Sequence, residues 1–250
     1  MTTFPSISIV GYGRFGKVLS KLFGDDFHLT LYQHSSLIKY SEPQNIKITS
    51  SLQEVYNSDV IFYAVPINKF EEVLHEHKSF FKPHHLLIDV LSVKVHPKNV
   101  FQHLLSGSTT RAMLTHPMFG PDSSKNGFID LPIIMEQFSS TTTEYNFWKQ
   151  YFAEKGLNVI EISAEKHDQL AAKSQGLTHL IGRLLETTNF HATPIDSLGT
   201  KKLLEVVDQT CHDSLELFYN LHHYNPYTNE IRKNLLTNLK ALIKSIDNYK

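Results

Sequence analysis

Near its N-terminus the chain runs from a β-rich stretch, residues 6–10 (SISIV), straight into Gly11-Tyr12-Gly13-Arg14-Phe15-Gly16. A helical pattern bearing Val18, Leu19, Leu22 and Phe23 comes next. A GxGxxG sequence between a first strand and a helix constrains the fold more than any other feature. Gly11 permits the tight turn, Gly13 lets backbone approach a pyrophosphate, and Gly16 lets the helix lie on the strand. With Arg14 and Phe15 between them, amides at the helix N-terminus then face the phosphates. The expectation is dinucleotide binding in an open α/β sheet, the alternative being a simple glycine turn.

Further apolar runs support a sheet buried on both faces. Residues 60–65 (VIFYAV) end at Pro66, and residues 86–90 form another run, each preceded by a helical stretch. Continuous apolar strands alternating with helices describe a Rossmann-type parallel sheet. Val65, at the end of its run, is expected beside the cofactor. The second strand, residues 28–32, ends in Gln33-His34-Ser35-Ser36 with Lys39 close behind and carries no acid. A carboxylate there would bind a free ribose 2′-hydroxyl and repel a 2′-phosphate. Ser35 and Ser36 are therefore read as cofactor-binding, and NADP is favoured over NAD, which stays open if these are ordinary loop residues.

A third apolar run, residues 112–114, stops at Thr115-His116-Pro117, and proline cannot donate to a sheet ladder. This places His116 at a strand's C-terminal edge, where open α/β sheets bind ligands. An imidazole suits proton transfer near neutral pH, though a histidine can simply end a strand. Ser92 and Lys94 fall on the loop after residues 86–90, where Ser92 either orients His116 or serves as a turn hydroxyl. A short strand at residues 132–135, a helix with Phe147, Trp148 and Phe152, and a last strand at 158–162 complete the sheet.

From Ser163 the pattern is helical, so the expected domains are 1–162, dinucleotide-binding, and 163–250, a smaller all-α domain. Leu170, Leu177, Ile181 and Leu184 read as the core stripe of its first helix, with Asp168, Gln175, His179 and Arg183 on roughly the opposite side. Ala172 and Gly176 beside that polar face admit close approach. A helical domain this small is marginal alone, which makes burial against a second copy, a homodimer, the expectation.

Composition removes other classes. Lysine and arginine number 24 against 25 acids, so no basic field gathers nucleic acid. No apolar run spans a bilayer and no signal-peptide pattern opens the chain, so a cytoplasmic protein is expected. The single Cys211 supplies neither a disulfide nor a thiolate zinc cage. Fifteen histidines raise the question of metal. His75 and His77, His84-His85 and His222-His223 lack the i, i+4 ligand spacing, so they read as solvated surface histidines and no metal is expected.

Taken together, these stretches resemble the prephenate and arogenate dehydrogenases, most closely the plant-type arogenate branch. The resemblance runs through Gly11 to Gly16, Asp89-Val90-Leu91-Ser92-Val93-Lys94, the segment from Thr115 to Ser123 that contains HPMFGPD, His167-Asp168, SQGLTHLIGR from Ser174 to Arg183, Thr200-Lys201-Lys202, and Asp213-Ser214. It implies oxidative decarboxylation of a small cyclohexadiene substrate in tyrosine biosynthesis. His116 would take the proton of the 4-hydroxyl as hydride leaves for the nicotinamide, and Ser92 would hold that histidine in line. Gln175 and His179 would face the cleft between domains, as substrate-binding residues. Asp213 matches a position where an acid accompanies arogenate, whose ammonium it would pair with. The arginine many prephenate-specific relatives carry nearby is absent, with Gln209 close to its place, so Arg183, Lys201, Lys202 or a second subunit would supply the cation. Prephenate as substrate, or a non-catalytic dinucleotide sensor, are the alternatives.

Overall fold

A computed structural model describes residues 5–33 and 45–249. Ser35, Ser36 and Lys39 lie outside the described residues. The chain divides into two compact units, Met1–Ala164 and Glu165–Lys250.

The first unit is built on an eight-stranded sheet of order β3-β2-β1-β4-β5-β6-β7-β8. Its strands are β1 (Ile7–Val10), β2 (Leu29–Tyr32), β3 (Ile46–Thr49), β4 (Val60–Tyr63), β5 (Leu86–Asp89), β6 (Arg111–Pro117), β7 (Pro132–Glu136) and β8 (Asn158–Glu161). Strands β1 to β6 pair in parallel, and the order reverses between β1 and β4, the switch point at which such sheets bind ligands. The helices of this unit are α1 (Arg14–Phe23), α2 (Leu52–Val55), α3 (Phe70–His77), α4 (Val95–Leu104) and α5 (Thr142–Glu154). The α/β class expected from the apolar runs is present.

Two details differ from the sequence reading. Strand β7 runs antiparallel to β6, because the 118–131 connection reverses the chain without a crossover helix. Strand β6 also continues through Pro117 rather than stopping at His116. Side-to-side alternation explains why proline is tolerated: the Met118 amide bonds to Pro132 on the β7 side, 2.9 Å, so the Pro117 nitrogen faces β5. Pairing with β5 has already ended at Asp89↔Leu114. No ladder bond is lost.

One face of the sheet is held by an aromatic cluster in which α5 lies near α1. Trp148 sits 5.1 Å from Phe62 and 5.9 Å from Phe23, ring centre to ring centre. The Tyr151 hydroxyl donates to the Leu22 carbonyl, 3.1 Å, and to Asp26, 2.7 Å. Helix α5 starts in a capping box between Thr141 and Glu144.

The surface reading of the histidines is corrected at His77 and His85, both buried. His77 Nδ1 lies 2.9 Å from the Tyr56 hydroxyl, itself 2.6 Å from that of Tyr63. His85 accepts from the Lys82 amide and donates to the Tyr56 carbonyl, 3.2 Å. Burial lowers both imidazoles to about 4, so they sit in the core as neutral polar groups with partners.

The second unit consists of α6 (Ala164–Ala171), α7 (Leu177–Thr187), α8 (Leu198–Cys211), α9 (Leu215–Tyr224) and α10 (Thr228–Asp247), with one π turn, Ala172–Gly176, joining α6 to α7. Here the expected core stripe is overturned. Leu170 and Leu184 are 48% and 47% exposed, whereas Asp168, Ala172, Gly176, His179 and Gly182 are buried. The π turn inserts one residue and rotates the downstream helix by about 100°, so a 3.6-residue count taken through it loses phase. The buried face combines small residues with the polar Asp168 and His179. At Gly182 a methyl group would collide with the Thr210 hydroxyl of α8. Among the described residues no helix is long and apolar enough to cross a membrane.

The Gly182 contact is expected to be specific. Gly182→Ala lowers stability by about 1–3 kcal/mol through overpacking, and adding Thr210→Ala recovers part of the loss. Urea denaturation of the two single variants and the double variant measures this coupling.

Candidate active site

At the C-terminal edge of the sheet the first strand turns sharply into α1. Gly11 has φ +101°, a left-handed conformation, and its amide donates to the Tyr32 carbonyl, 3.3 Å. A methyl on Gly11 would meet the Ala64 carbonyl, with the Val65 side chain 3.4 Å away, and one on Gly16 would meet the Gly11 carbonyl. Around Gly13 the space is open: nothing lies within 4 Å of a Cβ position. Helix α1 has no side-chain cap and no acid in its first turn. The unfilled flank at Gly13 and an uncapped helix N-terminus fit a pyrophosphate. Gly11, Gly13, Arg14, Phe15, Gly16 and Val65 are therefore together.

His116 is 3% exposed and stands on the extension of β6 past the end of β5. What fixes it is its neighbour Thr115. The Thr115 amide donates to Asp89 Oδ1, 3.3 Å, and its hydroxyl to the Asp89 carbonyl, 2.6 Å. Lys94 Nζ donates to the Thr115 carbonyl, 2.5 Å, and pairs directly with Asp89 Oδ2, which also accepts the Leu91 amide, 3.2 Å. Both charged side chains are buried, and desolvation pushes the Asp89 carboxyl up to about 6 against the pull of Lys94. This brace was not anticipated; its one sequence signal is an acid ending an apolar run, with a lysine five residues on.

Beyond His116 the loop folds back toward the glycine turn. Phe119 packs on Phe15, 6.3 Å between ring centres, and Arg14 pairs with Asp122 at 3.2 Å, an exposed contact worth little energy. The Gly120 carbonyl accepts from Ser124, 2.8 Å. Ser92 is half-buried in the β5–α4 connection.

A second polar group is assembled inside the helical unit. Gln175, His179 and Arg183 recur at four-residue spacing from the π turn along α7. Asp213, between α8 and α9, lies 4.0 Å from His179 Nε2, and its carbonyl accepts a hydrogen bond from Arg183. Burial lowers the His179 imidazole, Asp213 raises it, and Arg183 lowers it further. Lys201 and Lys202 are exposed on α8. His167 and Asp168 are buried partners at 2.8 Å, and Asn225 donates to the Asp168 carbonyl, 2.8 Å. Four buried polar atoms have no hydrogen-bond partner among the described residues: Gln175 Oε1, His179 Nδ1, Arg183 Nε and His222 Nε2. Buried polar atoms left this way cost about 1–3 kcal/mol each, and all four lie in the helical unit. His222 and Arg232 were missed in the sequence, His222 because it was grouped with solvated pairs. Among the described residues no three metal-ligating side chains are gathered for an ion.

Residues 36–161 match the model of the prephenate dehydrogenase nucleotide-binding domain. The chain belongs to the prephenate dehydrogenase family. Residues 184–250 match the TYRAAT1-like C-terminal domain. The chain is 36% identical over 230 residues to arogenate dehydrogenase 1, chloroplastic, of Arabidopsis thaliana, covering 88% of this chain and 36% of that protein. It is 34% identical over 240 residues to the same plant's arogenate dehydrogenase 2, chloroplastic, covering 88% and 64%. The chain thus spans between about one third and two thirds of these relatives' length. The prephenate dehydrogenase from A. aeolicus, crystallised with hydroxyphenyl propionate and NAD+, superposes with a TM-score of 0.74 at 17% identity, covering 98% of this chain and 93% of that one. That similarity is one of fold. The family resemblance carried by HPMFGPD and SQGLTHLIGR is therefore a relationship over most of the chain.

The brace beneath His116 yields a pH-dependent expectation. Lys94→Met leaves the Asp89 carboxylate buried without its cation, costing about 3–5 kcal/mol at pH 8. A carboxyl whose folded pKa is raised holds its stability below the unfolded carboxyl range and loses it as pH rises through about 6. The loss is thus smaller at pH 5, and Asp89→Asn in the same chain recovers part of it at pH 8. Urea denaturation at the two pH values reads both effects.

Proposed function

We propose that this chain oxidatively decarboxylates arogenate to tyrosine with hydride transfer to NADP. The observation that carries the reading is His116, braced through Thr115 at the C-terminal edge of the same sheet that carries the glycine turn. The identity to two arogenate dehydrogenases supports the choice of substrate. When bound, the nicotinamide accepts the hydride.

His116 takes the proton from the ring 4-hydroxyl as the C4–H bond gives up hydride and the carbonyl forms. The C1–carboxylate bond then breaks, its electron pair enters the ring, carbon dioxide departs, the ring becomes aromatic, and the phenolate oxygen takes back the proton held by His116. Ser92 orients the hydroxyl. Arg14 and Phe15 would hold the pyrophosphate, and Ser35 with Ser36 would receive the 2′-phosphate of NADP. Gln175, His179 and Arg183 bind the substrate's polar groups, and Asp213 pairs with its ammonium. The absence of an acid at residues 33–36 favours NADP, with NAD the second choice. Prephenate is the second substrate reading. It lacks the ammonium with which Asp213 pairs in the arogenate reading.

The helical unit exposes Leu198, Leu203, Leu215, Leu239, Leu242 and Ile246, more apolar surface than a small helical unit leaves in water. A second copy of the chain covers it in this reading, and sedimentation equilibrium showing a dimer supports it.

His116→Asn is expected to lower kcat by about 100-fold or more while NADP affinity, measured by fluorescence titration, stays within a factor of about two. Unchanged turnover removes His116 from the mechanism. Arogenate or prephenate supplied with NAD or NADP, repeated with Asp213→Asn, is expected to show a preference for arogenate and NADP, and a weaker arogenate preference in the variant. An unchanged preference removes Asp213 as the selector.

A further inference from the structure

In the helical unit the protonation of His222 is dictated by geometry. Arg232 Nη1 lies 3.2 Å from His222 Nδ1, 3.2 Å from the His222 carbonyl and 3.0 Å from Thr228 Oγ1. A guanidinium only donates, so Nδ1 must accept, and the single proton of the neutral ring is on Nε2. Thr228 reinforces the position by donating to the His222 carbonyl, 2.7 Å. Phe218 packs on the ring at 4.8 Å. His222 is thus a rigid Nε2–H donor. That Nε2 is buried and has no acceptor among the described residues.

The ring lies against the wall of polar residues already described. A Cβ placed on Gly176 would be 3.9 Å from His222 Cε1, so the imidazole is at the level of the π turn that also contains Gln175, and His179 is near enough to act on it electrostatically. Gln175 Oε1, a buried acceptor, also lacks a partner, and His179, 8% exposed, has Nδ1 unsatisfied. A ligand that completes this group must bring an acceptor for His222 and a donor for Gln175 within a short span. The ammonium and carboxylate of an α-amino acid do this. A keto acid brings only acceptors.

We propose that His222, fixed as its Nε2–H form by Arg232, is a substrate-binding residue that donates to the carboxylate of an α-amino-acid side arm whose ammonium faces Gln175 Oε1. The inference rests on the reaction proposed above and assigns that substrate one residue, His222, beyond those read from the sequence, with Arg232 positioning it. Burial and Arg232 together hold the imidazole at about 4, so it stays a neutral donor through the physiological range.

Steady-state kinetics of the full chain with arogenate and NADP tests this. His222→Phe is expected to raise KM by about tenfold with kcat within about threefold, the loss of one hydrogen bond to a charged group. His222→Gln, whose amide N–H reaches the same oxygen, recovers most of that loss. Arg232→Met, which frees the ring to change tautomer, raises KM by a smaller factor, and exposed His223→Phe changes nothing. A His222→Phe KM within twofold of the parent overturns the proposal, as does equal impairment of the Phe and Gln variants. If His222→Phe does not fold, the Gln and Arg232→Met variants decide it: a parental KM for Arg232→Met, or a kcat loss in the Gln variant, overturns it.

Absence of nicotinamide reduction by the parent with either arogenate or prephenate overturns the proposed reaction instead. Calorimetric titration of L-tyrosine into the parent and His222→Gln and His222→Phe chains still reads the site. About tenfold weaker binding in the Phe variant, restored by Gln, sustains the assignment of His222. Equal affinities, or no binding by the parent, overturn it.

Discussion

The buried ion pair of Asp89 and Lys94 is the contact on which the arrangement of the sheet edge depends. It joins the end of β5, the loop after it and the backbone of β6 one residue before His116. Burying two charges is costly, and an apolar pair of similar volume would often do as well for stability. What the pair adds is direction. The carboxylate takes two amides and the ammonium takes a carbonyl, so the strand extension carrying His116 is held where β5 has already ended. The aromatic contact between Phe119 and Phe15 then ties the loop beyond His116 to the glycine turn. The nucleotide-binding turn and the imidazole thus belong to one rigid edge.

Much of the first unit was legible because its signals are local. The glycine turn is readable since Gly11 and Gly16 face backbone carbonyls that leave no room for a side chain. Strands β4 and β5 are continuous apolar runs, which only a sheet covered on both faces requires. The reversal at β7 was not legible, because direction is set by where a loop travels and not by strand composition. The extension of β6 through Pro117 was hidden for a related reason: whether proline breaks a ladder depends on which neighbour its nitrogen faces. His77 and His85 looked like surface residues because their partners, a tyrosine hydroxyl and a tyrosine carbonyl, are distant in sequence.

The helical unit was legible as helices but misread in its facing. Counting 3.6 residues per turn from Leu170 to Leu184 assumes an unbroken helix, and the π turn at Ala172–Gly176 breaks the count. The polar residues Gln175, His179 and Arg183 were recognisable as a stripe, and the family resemblance gave that stripe a purpose. Their neighbours His222 and Arg232 had no such signal. Arg232 reaches back ten residues to a histidine of another helix, a relation that no spacing rule contains.

The π turn has one more consequence. Because it holds a single surplus residue, the helical segments on either side of it are indexed separately: shortening the chain by one position there would swing Gln175, His179 and Arg183 about a quarter-turn around the axis while leaving Asp168 in place. The composition of that wall is thus controlled by chain length at one point as much as by side-chain identity. A relative could re-aim its whole row of polar groups through a one-residue deletion, with no substitution in the row itself.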